Sequence, residues 1–205
     1  LAEMMNLGGD ERIYPASMTK IMTALLTIEN LPDLNETITV PEDIFEELTA
    51  QDASVAGFNP YEQPTVRDLL YGVLLPSGAD ACETLARAVG GSEEGFVAMM
   101  NQKAEELGLT NTHFENCTGL HNDNHYSTCR DIAVLMSECL KSDTFREIVT
   151  REVYTTEATA SHPEGITLYD TMLHRFTSYE MSTTLENGAV IEGGKTGFTD
   201  EAGQC

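Results

Sequence analysis

The chain has 205 residues, of which 41% are hydrophobic, enough for one domain (1–205) with a substantial core. Against 11 lysines and arginines stand 34 aspartates and glutamates, and the resulting net charge of −23 repels phosphate backbones and anionic lipid surfaces. Nucleic acid is therefore disfavoured as a partner, no apolar run is long enough to span a bilayer, and no single carboxylate acquires a catalytic role from charge alone.

The first predicted element is a helix over residues 17–30, opened by Pro15 and carrying Ile21, Met22, Ala24, Leu25, Leu26 and Ile28, which leave it little polar face and argue for burial. At its start stand Ser17-Met18-Thr19-Lys20, with the serine and the lysine one turn apart on the same face. Burial would lower the proton affinity of Lys20, and a neutral amine can take the proton of a serine hydroxyl. The Ser17 N–H falls among the unpaired amides of the first turn, where it would form one half of an oxyanion hole.

Further helices are expected over residues 65–75, 80–89, 92–107 and 128–140, giving a helical lobe over about 21–145. The first two of these are joined by a turn through Pro76-Ser77-Gly78. Residues 111–126 read as a long polar loop, and 151–156, 166–169 and 189–191 as strands. The last leads into Gly193-Gly194-Lys195-Thr196-Gly197-Phe198. Of the five cysteines, an odd number that leaves at least one free, Cys117 and Cys129 bracket the polar loop at a spacing a disulfide can close, with free structural thiols as the other reading.

Ser-x-x-Lys, a middle motif that usually reads Ser-x-Asn, and Lys-Thr-Gly form a known set in penicillin-recognising serine enzymes, and here Ser17 to Lys20, the Ser77 turn and Lys195 to Gly197 stand in that order. The chain resembles the D-alanyl-D-alanine carboxypeptidases among the low-molecular-weight penicillin-binding proteins, of the β-lactamase/transpeptidase-like superfamily. The likeness runs through Tyr14 to Leu26, Leu69 to Leu85, Gly90 to Asn101, Leu107 to Phe114, Thr118-Gly119-Leu120, His125 to Thr128, and Gly194 to Gly203. It implies an α+β fold in which an antiparallel sheet flanks a helical lobe, with the reactive serine in the cleft between them. Such proteins carry strands before the Ser-x-x-Lys helix and after Lys-Thr-Gly, so the sheet is expected to be incomplete in these 205 residues, with an uncovered edge at Lys195.

The roles implied are Ser17 as nucleophile, Lys20 as base, and Ser77 between Lys20 and Lys195 as proton relay. Lys195 would supply positive charge and Thr196 would hydrogen-bond the terminal carboxylate of the peptide. Gly197 would admit the substrate backbone, and the Phe198 N–H would complete the oxyanion hole. The partners implied are peptidoglycan stem peptides and, as covalent inhibitors, β-lactams, met outside the cytoplasm of a bacterium. No metal or cofactor is called for.

One position departs from the pattern. Ala79 stands where the family usually has an asparagine, and Asp80 is one residue displaced from that place. Three competing readings remain: a sensor that acylates on Ser17 and never turns over; a β-lactamase, although no Glu-x-x-x-Asn segment occurs in the middle region to position a deacylating water; and a zinc carboxypeptidase using His121, Asp123 and His125, a set that lies in a loop without a helical apolar face.

Overall fold

A helix that is apolar nearly all round is stable only when other elements surround it. A computed structural model describes residues 6–205 and places such a helix, α1 (Lys20–Asn30), at the centre, with every residue from Lys20 to Thr27 buried. Around it pack α3 (Val66–Leu74), α4 (Ala79–Gly90), α5 (Glu93–Glu106), α6 (Cys129–Cys139) and α7 (Asp143–Val149), while α2 (Ile44–Ala50) lies against α4. A last short helix, α8 (Leu173–Ser178), comes in the chain before the last of the strand pairs described below.

The helix starts follow side-chain chemistry. Thr65 accepts from the Asp68 amide while the Asp68 carboxylate accepts from the Thr65 amide, a reciprocal cap that opens α3. Ser92, Thr128 and Ser142 each accept from the amide three residues on and open α5, α6 and α7. The helix expected from residue 17 begins differently. Residues Ala16–Thr19 form a 3-10 turn, and the α-helical pattern starts only at Lys20.

The strands are two or three residues long and form three antiparallel ribbons. β1 (Arg12–Ile13) pairs with β2 (Ser127–Thr128), β3 (Val153–Thr155) with β4 (Thr167–Tyr169), and β5 (Phe198–Thr199) with β6 (Gly203–Gln204). Among the described residues these do not merge into the one flanking sheet that the resemblance implied. Residues 189–191 do not form the expected strand: Val190 makes a single bridge to Thr184 and is 57% exposed, so no buried face holds a longer ladder there. Two residues beyond Lys195, Gly197 exchanges both backbone hydrogen bonds with Cys205, at 3.0 and 2.9 Å, so one edge of this segment is paired there.

Two buried polar side chains fasten loops to this frame. Asp80, wholly buried in α4, accepts from the amides of Ala56, Gly57 and Phe58 at 2.7, 3.0 and 3.1 Å. Burial raises its pKa against the pull of those amides. Its carboxylate is thus spent on the 56–58 loop. An Asp80→Asn variant puts a donor where an acceptor is required, and we expect it to lose about 3 kcal/mol in urea unfolding at unchanged m-value. A loss below about 1 kcal/mol would show that the loop is held by other contacts.

His125 fastens the 111–126 loop. Its Nδ1 accepts from the Glu115 amide at 3.2 Å, which leaves the proton on Nε2 to be donated to Thr19 Oγ1 at 2.7 Å. Burial holds its pKa down at about 4 from 6.5. Between those values the unfolded chain binds the proton and the folded one does not, so stability is present above pH 6.5 and is lost as the pH falls toward 4. The loss expected from this group is about 3 kcal/mol, read by denaturation at stepped pH. In His125→Gln the decline over this window should flatten; an identical slope in both proteins would place the titration elsewhere.

Candidate active site

The 3-10 turn, the Ser77 turn and the hairpin of β5 and β6 meet at one cleft of about 880 Å³, whose walls include Ser17, Ser77, Thr171, Thr196, Gly197 and Phe198. On α1, residues 20 and 23 continue the spacing of Ser17, so a polar stripe runs along an otherwise apolar helix. Thr23 donates to the Cys117 carbonyl at 2.6 Å. Lys20 donates to the next carbonyl, Thr118, at 2.5 Å and to Ser17 Oγ at 3.1 Å. The amine is 3% exposed, and burial lowers its proton affinity.

Backbone geometry holds the serine in place. Ala16 has φ of 45°, a left-handed conformation unusual for a residue with a side chain. Its carbonyl lies where only a glycine can face it: a Cβ on Gly119 would stand 1.8 Å from that oxygen. Asn116 Oδ1 accepts from the amides of Thr118 and Gly119, so the strand of carbonyls facing α1 is itself anchored. Met18 is the first amide of the 3-10 turn to find an acceptor, the Pro15 carbonyl at 3.0 Å, and the Ser17 N–H precedes it.

Across the cleft, a Cβ on Gly197 would lie 3.2 Å from the Ser17 nitrogen, so this strand passes directly over the serine turn. Since Gly197 directs both its backbone groups to Cys205, the neighbouring Phe198 directs its N–H to the opposite edge, the one beside the turn. Two backbone N–H groups, of Ser17 and Phe198, are therefore placed on the cleft side of their elements.

Ser77 also has a left-handed backbone, with φ of 65°, in the turn between α3 and α4. Its hydroxyl accepts from Lys195 Nζ at 2.9 Å, while Lys20 directs its hydrogen bonds to Ser17 and Thr118. Ser77 is thus bonded to Lys195 and is not a symmetrical bridge between the two amines. Lys195 donates also to the Thr196 carbonyl at 2.8 Å. Burial pushes its pKa down to about 7, and the charge of Lys20 acts in the same direction. The positive charge expected of Lys195 is therefore held against burial, and the neutral form of Lys20 favours it.

Ala79 is 2% exposed and opens α4, offering no polar group; the Thr118 carbonyl is the neutral partner that Lys20 has instead. Sequence reasoning assigned no role to that carbonyl, to Asn116 behind it, or to Thr171, whose hydroxyl lies 2.6 Å from that of Thr196. Backbone acceptors leave no residue-type signal.

The remaining candidates lie apart. His121 meets the ring of Tyr14 edge-on and approaches Asp123 and Glu201, while His125 serves Thr19 and Glu115, so the two histidines do not converge on a common point. Cys117 and Cys129 are not bridged. Cys117 is buried and donates to Glu83 Oε1 at 3.3 Å, while Cys129 is exposed at the start of α6; all five cysteines are free.

Comparison with known proteins places this geometry in context. The sequence profile described as peptidase S11, D-alanyl-D-alanine carboxypeptidase, matches residues 4–205. The D-alanyl-D-alanine carboxypeptidase DacF of Bacillus subtilis is 36% identical over 203 residues, covering 98% of this chain and 49% of that protein. DacC of Escherichia coli, with the same description, is 41% identical over 132 residues, 62% of this chain and 33% of that one. The chain thus spans half or less of the length of these relatives. A solved Streptomyces DD-transpeptidase superposes with a TM-score of 0.84 at 32% identity, over 98% of this chain and 77% of that one. Penicillin binding protein 5 of Haemophilus influenzae gives 0.81 at 27% identity, over 99% and 56%. The α+β, transpeptidase-like fold is therefore shown, and with a profile match over nearly its whole length the chain belongs to the D-alanyl-D-alanine carboxypeptidase family.

Proposed function

We propose that the protein is a serine-type D-alanyl-D-alanine carboxypeptidase that removes the terminal D-alanine of peptidoglycan stem peptides through an acyl-enzyme on Ser17. The observation that carries this reading is the contact of a buried amine, Lys20, with the Ser17 hydroxyl at 3.1 Å on the wall of a cleft. Neutral Lys20 takes the hydroxyl proton as Ser17 Oγ attacks the carbonyl of the penultimate residue. The resulting oxyanion is held by the N–H groups of Ser17 and Phe198. Collapse breaks the C–N bond, and the leaving amine of D-alanine takes the proton that Lys20 accepted from Ser17, by way of the Ser77 hydroxyl, while Lys195 keeps its own proton. Water then attacks the ester, neutral Lys20 taking its proton and returning it to Ser17 Oγ as the C–O bond breaks. Thr196 and protonated Lys195 receive the terminal carboxylate, and Gly197 lets the peptide backbone approach β5.

A β-lactam presents a reactive amide carbonyl and a carboxylate in a similar relation, so the site would also be acylated by penicillins. The substrate class places the reaction outside the cytoplasm of a bacterium. Among the described residues no helix is long and apolar enough to cross a membrane. A second reading, a sensor that is acylated and stays so, is favoured by one observation, the absence of a polar side chain at Ala79.

The test is intact mass spectrometry of the protein with a penicillin over time, with peptide mapping of the adduct. A single adduct on Ser17 is expected, absent in Ser17→Ala and reduced at least ~100-fold in rate in Lys20→Arg, because a guanidinium keeps its proton. An adduct on Ser77 or elsewhere would sink the mechanism. Release of D-alanine from an acyl-D-Ala-D-Ala peptide separates the hydrolase from the sensor.

A further inference from the structure

The hydroxyl of Thr171 lies 2.6 Å from that of Thr196, and both line the cleft. Thr171 comes from a different element than the Lys-Thr-Gly strand, and its backbone is fixed from three sides. Its amide donates to the Leu75 carbonyl at 3.2 Å, two residues before Ser77. The buried Asp170 carboxylate accepts from the amides of Met172 and Leu173 at 2.9 and 2.6 Å, pinning the residues that follow. The amide of Asp170 donates to the Glu152 carbonyl at 2.8 Å, pinning the residue that precedes. Thr171 is thus a wedge between the Ser77 turn and Thr196.

Two hydroxyls in contact have two protons between them. With the cleft empty, one proton is spent in the bond joining them and one O–H is left to point elsewhere. An arriving carboxylate has two acceptor oxygens and forms stronger bonds than a neutral hydroxyl does. The pair can then give up its mutual bond and donate one proton to each oxygen. Arg175, one helical turn further on, lines the same cleft and has no ion-pair partner among the described residues, so this wall favours an anion as well.

We infer that Thr171 is a specificity-determining residue, which together with Thr196 binds the terminal carboxylate of the peptide as a two-hydroxyl clamp. The inference rests on the carboxypeptidase reading and extends it to a residue outside the three motifs. Thr171 adds an uncharged donor near Lys195, whose proton affinity burial lowers.

The decisive comparison is Thr171→Val, which keeps the shape and removes the hydroxyl, against Thr171→Ser, which keeps the hydroxyl. Each is assayed in the intact protein with an acyl-D-Ala-D-Ala peptide and its C-terminal amide, and by the rate of penicillin labelling against that of a penicillin ester. We expect Thr171→Val to raise KM for the free acid about tenfold with kcat little changed, and to shrink the preference for acid over amide by a similar factor, with Thr171→Ser restoring both. A merely structural role would lower acid and amide alike, and that result, or an unchanged preference, overturns the inference while leaving Ser17 labelling and the carboxypeptidase reading intact. If peptide is not turned over but penicillin labels Ser17, the acid-to-ester ratio of labelling rates decides the same question. A parent protein that no penicillin acylates overturns both.

Discussion

An amine kept out of water is the constraint on which the remaining parts of the cleft depend. Lys20 is held on a helix that is apolar on almost every side, so burial lowers its proton affinity against the weaker opposing pull of Asp80, and its hydrogen bonds go to carbonyl and hydroxyl oxygens. That arrangement demands that the core be complete around α1, which five helices ensure. It also demands neutral acceptors in the right places. Asn116 fixes the loop whose carbonyls face α1, Thr23 binds one of them, and Lys20 the next. Chemistry at the surface of the cleft is therefore inseparable from packing beneath it.

The same logic explains the backbone. Ala16 and Ser77, both in left-handed conformation, stand in the two turns that bring hydroxyls to the cleft, and such conformations cost of order 1–3 kcal/mol each unless the surroundings impose them. Gly119 and Gly197 are the complement of that strain. Each lets a strand or loop close on the Ser17 turn at a distance no side chain would tolerate without displacement. Rigid placement of the serine is thus obtained from two glycines on other segments and from the buried contact of Thr19 with His125.

Helix periodicity and caps were readable because they are local. Thr65, Ser92 and Thr128 announce their helices by residue type, and observed boundaries fall within one or two residues of those expected. The short helices α2, α7 and α8 had no such periodicity over enough turns to register, and their stability comes from tertiary contacts. The motif residues Ser17, Lys20, Ser77, Lys195, Thr196, Gly197 and Phe198 were legible as a set, and they do converge on one cleft. What sequence could not show was the lowered proton affinity of Lys195, which depends on burial, or the placing of the Thr118 carbonyl and of Thr171, which depends on segments distant in the chain meeting in space. The strand expected at 189–191 failed for a related reason: apolar residues mark a strand only where another layer covers them.

The two lysines also bear on one another, and this gives substrate binding a chemical consequence. Lys20 and Lys195 are both buried, and the charge of one disfavours the charge of the other, so a proton gained by either lowers the affinity of its neighbour. In the proposed reaction, a carboxylate seated beside Thr196 would favour the protonated form of Lys195 and so strengthen its own binding. The anion and the proton it draws in would act on Lys20 with opposite signs, so the amine beside Ser17 would keep the low proton affinity that burial gives it. A peptide lacking that terminus would lose both the induced charge and the hydrogen bonds to the cleft wall, and discrimination against it would fall chiefly on binding.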